Sequence, residues 1–144
     1  MGELPSSIRH PMAFRESAAA GFDGVFDWAW MDGCFGKTNI TPMDFDGVVE
    51  RKRQFLLFET KNTGVELPKG QLICLENLWK KGDWTVVTVW GKKTPETWEV
   101  WFPWREGERQ PKIIKGVGVE SLRQFVARWY EWADKGQPHN SIGK

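Results

Sequence analysis

Cysteine, histidine and tyrosine are scarce in this chain of 144 residues, and each scarcity excludes something. The two cysteines, Cys34 and Cys74, have no paired spacing, and the two histidines, His10 and His139, lie near opposite ends. That pattern excludes the close Cys and His pairs of a zinc site and offers no disulfide framework. No apolar run approaches the length of a membrane span, and residues 1–17 lack the apolar stretch of a signal peptide. A cytoplasmic protein with reduced thiols and no membrane partner is the expectation. Charge of one sign is also missing: 20 Lys and Arg against 19 Asp and Glu leave a formal net charge of +1. Any hold on nucleic acid must then come from a local basic patch rather than a global field.

What the chain has in excess is tryptophan, ten against one tyrosine. Indoles either pack a core or line a carbohydrate-binding or base-stacking surface. Several of them, Trp84, Trp90, Trp98, Trp101 and Trp129, fall inside apolar strand and helix patterns, which favours packing. The hydrophobic share of 40% and charged share of 27% are ordinary for a globular protein. The length suits one domain over residues 1–144, with a loose arm over about 1–11 and a loose tail over 137–144.

Periodicity organises most of the chain. Residues 11–20, PMAFRESAAA, read as a short helix closed by Gly21, whereas 21–39 give no clean period. MDFDGVVE and QFLLFETK, separated by RKR, read as a β-hairpin. In KGQLICLENLWKKG, Leu72, Leu75, Leu78 and Trp79 recur at helical spacing before Gly82. DWTVVTVWG reads as a buried central strand, TWEVWF as an alternating strand and PKIIKG as a further short one. VESLRQFVARWYEWADKG aligns Val119, Leu122, Phe125, Val126, Trp129 and Ala133 on one stripe. The fold class expected is α/β, a mixed central β-sheet flanked by helices.

The hairpin carries charge where folding alone would not put it. Alternation sets Asp44 and Asp46 on one face and Glu59 and Lys61 on one face. A two-residue turn at Lys52-Arg53 would set Asp46 opposite Glu59 and Asp44 opposite Lys61, although Lys-Arg is a poor pair for the tight turns that prefer Gly or Asn. Opposed carboxylates repel unless a divalent cation takes oxygens from both strands. Lys61 on that face could then hold a phosphate oxygen or help activate a water. Glu50-Arg51-Lys52 repeats the acid-x-Lys spacing, but in the polar turn, where it reads as solvated charge.

PMDFDGVV followed by FLLFETK resembles the core of the PD-(D/E)XK nuclease superfamily, over about residues 40–90. Asp46 best matches the motif aspartate, and Glu59-Thr60-Lys61 matches (D/E)-x-K; Met43 interrupts the strict Pro-Asp pair, and Asp44 is the alternative aspartate. The resemblance implies a restriction-endonuclease-like core and a nuclease that hydrolyses DNA phosphodiester bonds with Mg²⁺ or Mn²⁺ and an activated water. It implies catalytic Asp46, Glu59, Lys61 and Gln71, with metal ligands among Asp46, Glu59, Asp44 and, from the first helix, Glu16. Some members carry a glutamine or lysine at the start of the next helix, where Gln71 and Lys69 stand. DNA contacts are expected from Lys69, Lys52, Arg53, Lys80, Lys81, Lys92 and Lys93. Small standalone members are frequent in phages and prophages, which would put the protein in a host cytoplasm.

The competing reading keeps the fold without catalysis, as a module binding nucleic acid or a protein. The opposed acids favour the enzyme, because a pure binder has no use for them. The last helix, with Tyr130 and Trp132 off its main stripe, offers a surface for a homodimer.

Overall fold

The computed structural model describes residues 27–136. The expected arm, first helix and tail, and with them Glu16, lie outside the described residues. The chain divides into two compact units at Pro42. The described part of the first holds a short 3₁₀ turn, Ala29–Met31, started by Asp27, whose Oδ1 accepts the Ala29 N–H at 2.9 Å.

The second unit is a mixed five-stranded α/β sheet with two helices. Its elements run β1 (Gly47–Arg51), β2 (Gln54–Lys61), α1 (Lys69–Trp79), β3 (Trp84–Trp90), β4 (Thr97–Trp101), β5 (Ile113–Val117) and α2 (Val119–Asp134). Spatial order follows chain order, and only β2 and β3 are parallel, because α1 carries the chain back between them.

The hairpin has the expected register, with Arg51 opposite Gln54 and Gly47 opposite Phe58. Lys52 and Arg53 both adopt the positive φ of a type I′ turn, 48° and 68°. Left-handed backbone costs a residue with a Cβ about 1–2 kcal/mol, and contacts from outside the turn offset it here. Glu50 Oε2 accepts the Arg53 N–H at 2.8 Å, Arg51 pairs with the Asp134 carboxylate, and Lys52 donates to the Asp134 carbonyl at the end of α2.

Alternation along β2 and β3 sorts the core into two layers. Leu57 and Val86 face α1, where Leu75 completes the cluster; Leu56, Val87 and Val89 face α2, against Leu122, Phe125, Trp129 and Ala133. The inward face of α1 is Gln71, Leu75, Leu78 and Trp79, and Leu72 is instead 38% exposed. Trp132, read as a surface residue of α2, is buried in the core; Tyr130 is exposed. Trp98 lies over its cross-strand partner Gly116, where any Cβ would meet the indole ring at 2.0 Å. Among the described residues, no helix is long and apolar enough to cross a membrane.

Candidate functional site

β2 outruns its hairpin partner. Pairing with β1 ends at Gly47 with Phe58, while pairing with β3 continues through Glu59 with Thr88, Thr60 with Val89 and Lys61 with Trp90. Among the described residues, the last three residues of β2, Glu59, Thr60 and Lys61, are therefore flanked by a strand on one side only. Glu59 and Lys61 share the α1 face with Leu57; Thr60 points to the other face, as does Phe58.

Glu59 is 2% exposed and is the one charged side chain in the core among the described residues. Its Oε1 accepts from Gln71 Nε2 at 2.9 Å and lies 3.3 Å from Lys61 Nζ. Gln71 reaches it because the α1 stripe that buries Leu75 and Trp79 also turns the third residue of the helix onto the sheet. The free N–H groups of that first turn add positive potential beside the carboxylate. Glu59 Oε2 and Gln71 Oε1 are both buried without a hydrogen-bond partner. An unsatisfied buried polar atom costs about 1–3 kcal/mol. Two bare oxygens in one cluster fit a hard cation such as Mg²⁺, which takes oxygen ligands and completes its shell with water.

Asp46 is arranged differently from the sequence expectation. β1 begins at Gly47, so the facing pairs Asp46 with Glu59 and Asp44 with Lys61 do not form. The chain bends at Asp46, whose Oδ2 accepts from the Thr60 N–H at 2.7 Å and from Thr60 Oγ1 at 3.0 Å. The carboxylate thus occupies a backbone donor that β1 leaves open, and this ends the ladder. Phe45 swings back until its ring centroid lies 6.4 Å from that of Trp84, and Asp44 is exposed outside any strand. Among the described residues, no three of His, Cys, Asp and Glu gather as a metal-binding group.

The basic residues separate into two sets. Lys52 and Arg53 sit in the hairpin turn at the far end of the eight-residue β2 from Lys61, a span of roughly 23 Å at the usual rise per residue. They do not belong to the same local cluster as Glu59. Lys69 opens α1 two residues before Gln71 and is exposed. Arg51 holds the Asp134 carboxyl below the usual carboxylate range, chiefly by a side-chain hydrogen bond, and its own pKa is raised in return.

Sequence reasoning missed two features. Thr60 is more than the spacer of the motif, since it anchors Asp46. Across the sheet, Glu59, Thr88, Glu99 and Lys115 are successive partners in one row, so a second acid shares the face of the first. The alternation of TWEVWF separates Glu99 from Trp98, but only strand order could align it with Glu59. Comparison with protein-family models, curated proteins and solved structures gives no match.

Proposed function

We propose that this chain is a Mg²⁺- or Mn²⁺-dependent nuclease that hydrolyses DNA phosphodiester bonds on a restriction-endonuclease-like core. The observation that carries this reading is the buried Glu59, with Oε2 bare and Oε1 shared by Gln71 and Lys61, at a strand end open on one side. The order hairpin, helix, parallel strand around it supports the same reading.

Glu59 and Gln71 would hold the cation with water, and Asp46 would join them on releasing Thr60. The cation would supply Lewis acidity to a phosphate oxygen and acidity to a water. Gln71 fixes the rotamer of Glu59, because a carboxylate only accepts and the amide must present its nitrogen. Lys61 is held by Glu59 within reach of the strand end, where its three donors can meet a phosphate oxygen as negative charge builds on it. The positive end of α1 acts in the same direction.

A second reading, a binding module without catalysis, is favoured by one observation: Asp46 is engaged with Thr60 rather than turned to Glu59. One assay separates the two. Labelled single-stranded, duplex, flap and four-way-junction DNA are incubated with Mg²⁺, Mn²⁺ or chelator, using wild type, Lys61→Ala and Asp46→Ala. The nuclease reading expects metal-dependent cutting that both substitutions abolish. DNA bound equally well in chelator and never cut would leave the binding module.

A further inference from the structure

Beyond Lys61 the two parallel strands end in loops that flank an open cavity of about 610 Å³. Its apolar floor is Phe58, Val89 and Leu122, and its rim carries Lys61, Lys92 and Lys93; among the described residues, no acid lines it. The loops are fastened to each other. Gly91 N donates to Lys61 O at 3.0 Å, Trp90 Nε1 to Val65 O at 2.7 Å, and Thr63 Oγ1 to Glu96 Oε2 at 2.7 Å. Glu96, the nearby acid, is thereby occupied outside the rim. Past Phe58, Pro95 and Leu122 the cavity runs into an apolar trough along α2 that reaches Val126 and Tyr130.

We infer that this cavity receives the terminal, unpaired nucleotide of a DNA strand, with the base on the apolar floor and its phosphate on Lys92 and Lys93. A cationic rim over an apolar floor has the two halves of a nucleotide, and the volume falls in the range of small-molecule pockets, roughly 300–1,000 Å³. A free or frayed end is the occupant because its base leaves the stack at far lower cost than a base held inside a duplex. Lys61 belongs to both places: it pairs with Glu59 and lines this rim. The floor lies on the α2 face and Glu59 on the α1 face, so the strand of a nucleotide seated here would reach Glu59 by passing over the strand end at Lys61. That last step rests on the nuclease reading; the binding itself does not.

The test is fluorescence anisotropy with a labelled oligothymidylate in chelator, where no cleavage occurs, competed by unlabelled blunt duplex and by thymidine monophosphate. Wild type is expected to bind the oligomer, the blunt duplex to compete poorly, and the monophosphate to compete only at much higher concentration. Lys92→Glu with Lys93→Glu is expected to weaken binding about tenfold or more, while Lys92→Arg with Lys93→Arg keeps it. Both pairs lie on an exposed loop, so folding is checked simply by the melting temperature. Absent binding, unchanged affinity in the glutamate variant, or equal competition by duplex would overturn the inference. Monophosphate binding as tight as the oligomer would overturn the strand-end assignment in favour of a free nucleotide. Binding intact but no metal-dependent cleavage by wild type would sink the nuclease reading alone.

Discussion

Gln71 Nε2 donates to Glu59 Oε1 across 2.9 Å, which ties the first turn of α1 to the end of β2 and fixes the core's one charged side chain among the described residues. Gln71→Ala would leave that carboxylate with Lys61 alone. A loss of about 1–3 kcal/mol is expected, read from urea unfolding in chelator. Glu59→Gln removes the charge but leaves the mostly buried Lys61 without its ion-pair partner, so this variant should be less stable than wild type without metal. It should also lose any rise in Tm that Mg²⁺ gives wild type. An equal rise in both proteins would refute the metal assignment.

Lys61 Nζ, 3.3 Å from Glu59 Oε1, competes with a cation for the same carboxylate. Lys61→Met is therefore expected to tighten Mn²⁺ binding while lowering the cleavage rate by about 100-fold or more. Mn²⁺ titration by electron paramagnetic resonance and single-turnover cleavage measure the two effects separately. Weaker metal binding in the variant would contradict the competition.

Asp46 has both a structural and a proposed chemical part, and Thr60 separates them. Thr60→Val removes one of the two hydrogen bonds to Oδ2, at about 0.5–1.5 kcal/mol, and should leave cleavage within a few-fold of wild type. Asp46→Asn keeps an acceptor for Thr60 yet should abolish metal-dependent cutting. Comparable cleavage loss in both variants would mean that Asp46 acts only by ending the strand.

Gly116 makes room for the Trp98 indole. A Cβ there would lie 2.0 Å from Cζ2 and 2.2 Å from Cε2, so Gly116→Ala should cost about 1–3 kcal/mol by overpacking. Trp98→Phe removes the ring atoms involved. The double variant should lose less than the sum of the two single losses in chemical denaturation, whereas strict additivity would speak against the contact.

The Arg51–Asp134 pair sets an acid limit. The Asp134 carboxyl has its pKa lowered from 3.8 in the folded state, first by the hydrogen bond from Arg51. A depressed folded-state pKa gives stability that is present above the unfolded value and lost as pH falls through the folded one. Wild type should therefore exceed Asp134→Asn in urea midpoint at neutral pH, with the gap closing below about pH 4. A gap that persists at pH 2 would mean the loss is one of packing and not of charge.

Local patterns were enough to determine the elements of the second unit. The β-branched run of β3, the alternation of β4 and the apolar stripe of α2 each identify their element, because burial on one face or two leaves a period in the sequence. The hairpin register followed from turn length alone, even with Lys and Arg in the turn, since contacts with the end of α2 support their left-handed backbone. Alternation likewise brought Glu59 and Lys61 to one face, whereas Gln71 was suggested only by the resemblance to a nuclease core, since the apolar spacing of α1 picked Leu72 instead.

Tertiary structure decided what surrounds those residues. Where β1 stops depends on the Asp46 carboxylate taking the Thr60 N–H, a contact between chain segments that no local period encodes. Glu99 joins the row of Glu59 only through strand order, and Trp132 goes to the core because α2 is covered more widely than its main stripe suggests. The cavity rimmed by Lys61, Lys92 and Lys93 exists because two strands that start far apart in the chain, at Gln54 and Trp84, run parallel and end together at Lys61 and Trp90. Hydrophobic period is a property of one segment, and a site is a property of how segments meet.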